Sequence, residues 1–249
     1  MARHAGRYVA ALAIVLFVAR QATAQPTLGA TSVFASTPAT TVAVIDRPAG
    51  VVAGDIIVTC LATYGGNLVP PSGWTQHFAL LCTDSTPRLY AKTAGGSEPA
   101  TYTWTGDNAG WNMVSFSVQG AAATFDASGS TCDAAYDATM IAGSITTTET
   151  NCLLVAFFSG TYTESAWSTP SGMTARANSG AGNTTAGLFD EVRAEAGATG
   201  SRTSTMAGGW SSAIMLAFAP SGGGAGQVRH GHPTHPTHGA TDPGGLGGY

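Results

Sequence analysis

The chain has a single lysine, Lys92, and only 10% of its residues are charged, with 10 Lys and Arg against 14 Asp and Glu. Arg3, Arg7 and Arg20 fall within the first 24 residues, so 7 basic residues remain beyond them and the net charge there is near −7. No basic stripe exists to neutralise phosphates, which argues against nucleic acid as a partner. Past the N-terminal segment no stretch sustains helical periodicity, and no apolar run reaches the roughly 18–20 residues of a bilayer span. The sequence also lacks a GxSxG elbow, an HExxH pair and close CxxC spacing, which removes three familiar signatures of hydrolytic and metal chemistry.

Some features stand out against these absences. Arg3, His4 and Arg7 precede the apolar run "YVAALAIVLFV", and Ala22-Thr23-Ala24 supplies small residues where a signal peptidase reads them. Residues 1–24 are therefore expected to be a secretion signal cleaved before Gln25, with no membrane span left afterwards. The expected location is extracellular or on the cell surface. Residues 25–220 read as one domain, with an N-terminal strand segment over 25–48 and halves at about 49–120 and 149–220. Residues 221–249 read as a Gly/Pro/His-rich tail with too little apolar content to bury a core.

Secretion gives the four cysteines a meaning. An even count in an oxidising compartment reads as two disulfides, and four cysteines allow three pairings. Cys60 shares a strand face with Ile56 and Val58, and Cys82 shares one with Phe78 and Leu80. Cys132 precedes a strand that Cys152 opens. The expected pairs are Cys60–Cys82 and Cys132–Cys152, each closing a loop of about 20 residues and contributing on the order of 3 kcal/mol.

One turn is written twice, as "PPSGWT" at 70–75 and "TPSGMT" at 169–174. Its surroundings repeat as well. "GDIIVTCLATYGG" precedes the first copy and "ETNCLLVAFFSG" the second. Leu89-Tyr90 answers to Leu188-Phe189, and Gly110-Trp111 to Gly209-Trp210. The steady offset predicts two structurally equivalent halves. Alternating apolar and threonine-rich runs such as "ATYTWTG", separated by Gly- and Pro-bearing turns, predict strands. The expected fold is all-β, a two-sheet antiparallel sandwich of jelly-roll type with two pseudo-equivalent halves.

The segment "AGDIIVTCLATYGG…VPPSGWT…RLYAKTAGGSEPATYTW" resembles a β-sandwich module of phage tail-associated and bacterial secreted proteins, over roughly residues 50–220. The SGW turn and the GSEP segment carry most of the likeness. The resemblance implies a jelly-roll-like sandwich on an exposed particle or cell surface, and it brings no catalytic residues.

The residues themselves point away from an enzyme, and no cofactor is expected. His77 is the one histidine between the signal and the tail, and it lies in a strand segment. Asp126, Asp133 and Asp137 fall in a Gly/Ser-rich connection without EF-hand spacing, so a solvated loop is preferred to a calcium site. In the tail, His232, His235 and His238 recur every third residue. A weak metal site, a pH-responsive strip, glycosylated threonines and an inert linker all fit that pattern. Two functions compete. One is a structural subunit that polymerises with itself by strand exchange, using the strand-prone segment 27–44 with Val33, Phe34, Val42 and Val44. The other is an adhesin module that binds surface glycans or a receptor through exposed aromatics. Trp167 is its best candidate, and most other tryptophans are expected in the core.

Overall fold

Ile56–Thr63 is buried along its whole length, whereas the first five residues of Thr101–Ala109 alternate exposed and buried. That contrast defines the architecture, because a strand covered on both faces reads as continuously apolar and a strand with one wet face alternates. The computed structural model describes residues 24–222 except 65 and 83. The signal expected over 1–24, Ala24 apart, and the tail histidines His232, His235 and His238 lie outside the described residues.

The first half contains β1 (Thr27–Ala35), β2 (Thr40–Asp46), β3 (Ile56–Thr63), β4 (Leu68–Val69), β5 (Thr75–Ala79), β6 (Arg88–Thr93), β7 (Thr101–Ala109) and β8 (Trp111–Gln119). The second contains β9 (Ala121–Cys132), β10 (Asp137–Ala142), β11 (Thr146–Thr147), β12 (Cys152–Thr161), β13 (Thr174–Ala181), β14 (Thr184–Arg193), β15 (Gly197–Ala198) and β16 (Arg202–Pro220). The pairings are antiparallel, and the described residues contain no helix. The first sheet runs β1-β8-β3-β6-β5. In the second, β9 and then β12, β14 and β13 follow from β16 in the corresponding order, and β10 pairs with the beginning of β16 as β2 pairs with β7. The duplication is thus real at the level of topology, and it includes β1 and β2, which belong to the first unit rather than preceding it.

Two large sheets pack face to face as a β-sandwich. Val58, Cys60, Leu89, Val114 and Phe116 of the first sheet meet Val155, Phe157, Leu188, Ile214 and Phe218 of the second in one buried cluster. Each of the larger side chains contributes about 1.5–3 kcal/mol by leaving water. Both sheets are covered on their outer faces too. The small sheet β2-β7-β4 lays Ala43, Ile45, Tyr102 and Trp104 over Ile57, Leu61, Tyr90 and Met113. On the other side Met140, Trp167, Met173 and Met206 cover Leu154, Phe158, Phe189 and Met215.

The repeated turn has a local cause. Gly73 and Gly172 both take positive φ, 85° and 83°, where a Cβ is strained. The residue after each glycine is then delivered to an outer cluster. Trp74 packs edge-on against Tyr102 at 5.1 Å and tilted against Trp104 at 5.3 Å, and Met173 takes the corresponding place. The Gly-Trp pair repeats less faithfully. Trp111 and Trp210 stand opposite Thr63 and Thr161, the last residues of β3 and β12, but counted from the facing pairs Cys60–Val114 and Phe157–Ile214 they differ by one position. Trp111 joins the outer cluster with Met113, whereas Trp210 has the strand parity of Ile214 and Phe218 and is half-buried. A slip of one residue reverses the face of a strand side chain, and it does so here.

The expected cysteine pairing is corrected. Cys82 bonds Cys132, with a Cα–Cα distance of 5.5 Å, while Cys60 and Cys152 are free and buried. Cys60 does face inward, but β5 ends at Ala79, so Cys82 lies past it in the hairpin tip. Cys132 stands opposite Ser212 and Leu153 opposite Phe218. Six residues of β16 therefore separate them, about 20 Å at ~3.3 Å per residue, beyond the reach of a disulfide. The bond that forms links the two halves.

Candidate functional site

Most of the residues singled out in the sequence are not brought together. Trp167 is corrected from exposed to buried at 3%. Its ring lies 5.5 Å from Phe158, and its backbone N–H and carbonyl both bond the Asn178 amide, at 2.9 and 2.6 Å. The polar loop around it folds back over an apolar sheet face. Val33, Val42 and Val44 are about half exposed, while Phe34 is partly buried on the outer cluster of the first sheet. Asp126, Asp133 and Asp137 are separately engaged. Asp126 accepts from Thr148, Asp133 from Ser211 and Ala135, and Asp137 from the Thr139 N–H. Among the described residues no group of three or more ligating side chains is placed to hold a metal. His77 packs edge-on against Phe125 at 4.7 Å, the two line a cavity of about 210 Å³, and partial burial lowers the His77 pKa.

The GSEP segment has a structural role. Burial by itself would raise the Glu98 carboxyl. Hydrogen bonds from Lys92 Nζ (2.8 Å), the Gly95 N–H (2.7 Å) and the Tyr102 hydroxyl (2.9 Å) instead hold it below its ordinary value. This cluster ties the turn after β6 to the start of β7. In the second half, an ion pair between Glu191 and Arg202 joins β14 to the start of β16.

A different set of residues gathers where β3 and β12 end. Tyr64 follows β3 and Tyr162 follows β12. The two strands finish at the same end of the sandwich. A Cβ on Gly110 would touch both the Gly182 carbonyl and the Tyr64 ring, and Tyr162 N–H bonds the Asn183 carbonyl at 2.8 Å. Trp210 stands opposite Thr161, the residue before Tyr162, and packs edge-on to Tyr136 at 6.3 Å. The hairpin tip bearing Leu81 and Cys82 reaches the same place, with Thr161 Oγ1 bonding the Asp84 carbonyl at 2.6 Å. Tyr64, Tyr136 and Tyr162 are exposed at 43%, 56% and 48%, and they are all the exposed Phe, Tyr and Trp residues among those described.

The loops that carry these rings are held from below. The Asp107 carboxylate accepts from the Asn67 backbone N–H at 2.8 Å and from its side-chain amide at 3.1 Å, which lowers the Asp107 pKa and fixes the loop after Tyr64. Glu164 Oε1 accepts from the Asn183 N–H at 3.1 Å and fixes the loop against Tyr162. Sequence reasoning passed over these tyrosines, although Thr63-Tyr64 and Thr161-Tyr162 close the two copies of a repeated strand and so carry a signal.

A scan against protein-family models, a search of curated proteins and a search of solved structures each found no match for this chain.

Proposed function

We propose that the protein is a secreted, non-enzymatic structural subunit that self-associates through the β1 edge into an extracellular filament. The single observation behind this reading is the character of β1. It is the outermost strand of the first sheet, pairs only with β8 among the described residues, and holds neither a charge nor a proline. Edge strands in monomeric proteins are normally blunted by such residues, because an unpaired row of N–H and C=O groups templates another strand. A bulge between Leu28 and Thr31 leaves 31–35 as the regular part, with Val33 exposed on it. On β2, Val42 and Val44 add exposed apolar surface. Because β1 is seated on β8 within its own sheet, exchange means that the β1 of one copy takes that seat in the next. The half-to-half disulfide fits an oxidising compartment.

Negative-stain microscopy of the purified mature protein tests the reading, alongside Val33→Lys. Filaments from the wild type and dispersed particles from the variant are the expected result. A wild type that stays monomeric at high concentration overturns it.

A further inference from the structure

We infer that the tyrosine-bearing end of the sandwich is a binding site for neutral glycans, independent of the β1 edge. Its placement is selective. The rest of the described surface carries no exposed Phe, Tyr or Trp, yet Tyr64, Tyr136 and Tyr162 share one end with half-buried Trp210 and with Leu81, which is 83% exposed. Tyrosine offers a large rigid face at low entropic cost and a hydroxyl at its tip, which suits stacking on the C–H face of a sugar ring.

Tyr162 is held against its backbone preference. Its φ is 63°, in the left-handed region that a bulky side chain seldom occupies. Asp84 and Asn183 at the same end have φ of 53° and 66°. Asn and Asp tolerate that region, whereas tyrosine does not, and a glycine there would remove the strain. The Tyr162–Asn183 and Asn183–Glu164 hydrogen bonds keep the conformation and direct the ring into solvent rather than into the core. Strain retained to expose an apolar ring points to a function for that ring. Preorganised loops also reduce the ordering that binding would otherwise require.

Charge selects the class of ligand. Asp84, Asp107, Asp133, Asp137 and Glu164 lie in or against the loops that carry the rings, and Arg88, the cation at this end among the described residues, is buried with its guanidinium on the Gly66 carbonyl. Phosphate, sulfate and carboxylate ligands would be repelled. Sugar hydroxyls would instead donate to these carboxylates in charge-assisted hydrogen bonds. The described chain enters and leaves at the opposite end, where Ser221 N–H bonds the Gly120 carbonyl and Gln25 lies nearby.

The test is affinity electrophoresis of the disulfide-intact mature protein through gels containing soluble mannan, xylan, mixed-linkage glucan or glycol chitin, with a polymer-free gel to register self-association. Retardation in at least one polymer is expected. Tyr162→Gly should weaken it roughly tenfold without lowering the melting temperature, and Tyr136→Ala, on a separate loop, should weaken it too. No retardation in any gel, or retardation unchanged in both variants, overturns the inference. Binding to polylysine that high salt abolishes, with none to the neutral polymers, also overturns it and identifies a cationic partner.

Discussion

Tyr162 donates its backbone N–H to the carbonyl of Asn183 at 2.8 Å, and both residues hold φ near 65°. Two adjoining non-glycine residues in the left-handed region support each other across the end of the sandwich. Relieving one of them should stabilise the fold. Tyr162→Gly is expected to gain about 1 kcal/mol from lost strain, offset in part by the greater freedom of glycine in the unfolded chain. Thermal denaturation of both proteins checks the sign. A clear loss of stability would mean that the ring supports the fold rather than a ligand.

The cysteines yield a count. Native protein should show no reactive thiol, because burial raises the pKa of both free cysteines. For Cys152 burial is the leading cause, with Asp126 and Glu149 adding to it, and its pKa is pushed up to about 12. Alkylation under denaturing, non-reducing conditions should label Cys60 and Cys152 alone, and mass spectrometry of the peptides should find Cys82 joined to Cys132. Label on Cys82 would refute the pairing.

The same bond encloses a sequence separation of 50 residues. Replacing both Cys82 and Cys132 with serine should cost roughly 4 kcal/mol if the effect lies in the unfolded chain. Urea denaturation of the two forms measures it. A change below about 1 kcal/mol would indicate that the noncovalent core between the sheets is sufficient.

Acid should loosen the turn after β6. The Glu98 carboxyl titrates below its ordinary 4.5 in the folded state. Its contribution to stability is therefore fully present above about 4.5 and lost as pH falls through the lower folded value. Glu98→Gln should be less stable than wild type at neutral pH, and the gap should narrow as pH drops below 4.5. Parallel stability curves over that range would exclude the mechanism.

Contact between the halves can be tested at Gly110. A Cβ there would collide with the Gly182 carbonyl, which is backbone and has little room to move. Gly110→Ala should destabilise by about 1–3 kcal/mol. Gly96→Ala, whose Cβ would meet nothing within 4 Å, should stay within roughly 0.5 kcal/mol.

Fold class and duplication were legible in the amino-acid order because both rest on short-range rules. Alternation along Thr101–Thr105 reports one wet face, the unbroken apolar run of Leu153–Phe158 reports two covered ones, and Gly73 and Gly172 mark turns that require positive φ. Disulfide pairing, the burial of Trp167 and the opposed faces of Trp111 and Trp210 were not legible, because each depends on where a strand ends or which layer covers it. Cys82 and Cys132 meet because a hairpin tip of one half reaches the end of β9 in the other, a contact no local pattern records. The grouping of Tyr64, Tyr136 and Tyr162 is of the same kind. Each tyrosine is an ordinary loop residue in sequence, and only the stacking of two equivalent sheets, with β3 and β12 ending together, turns them into one surface.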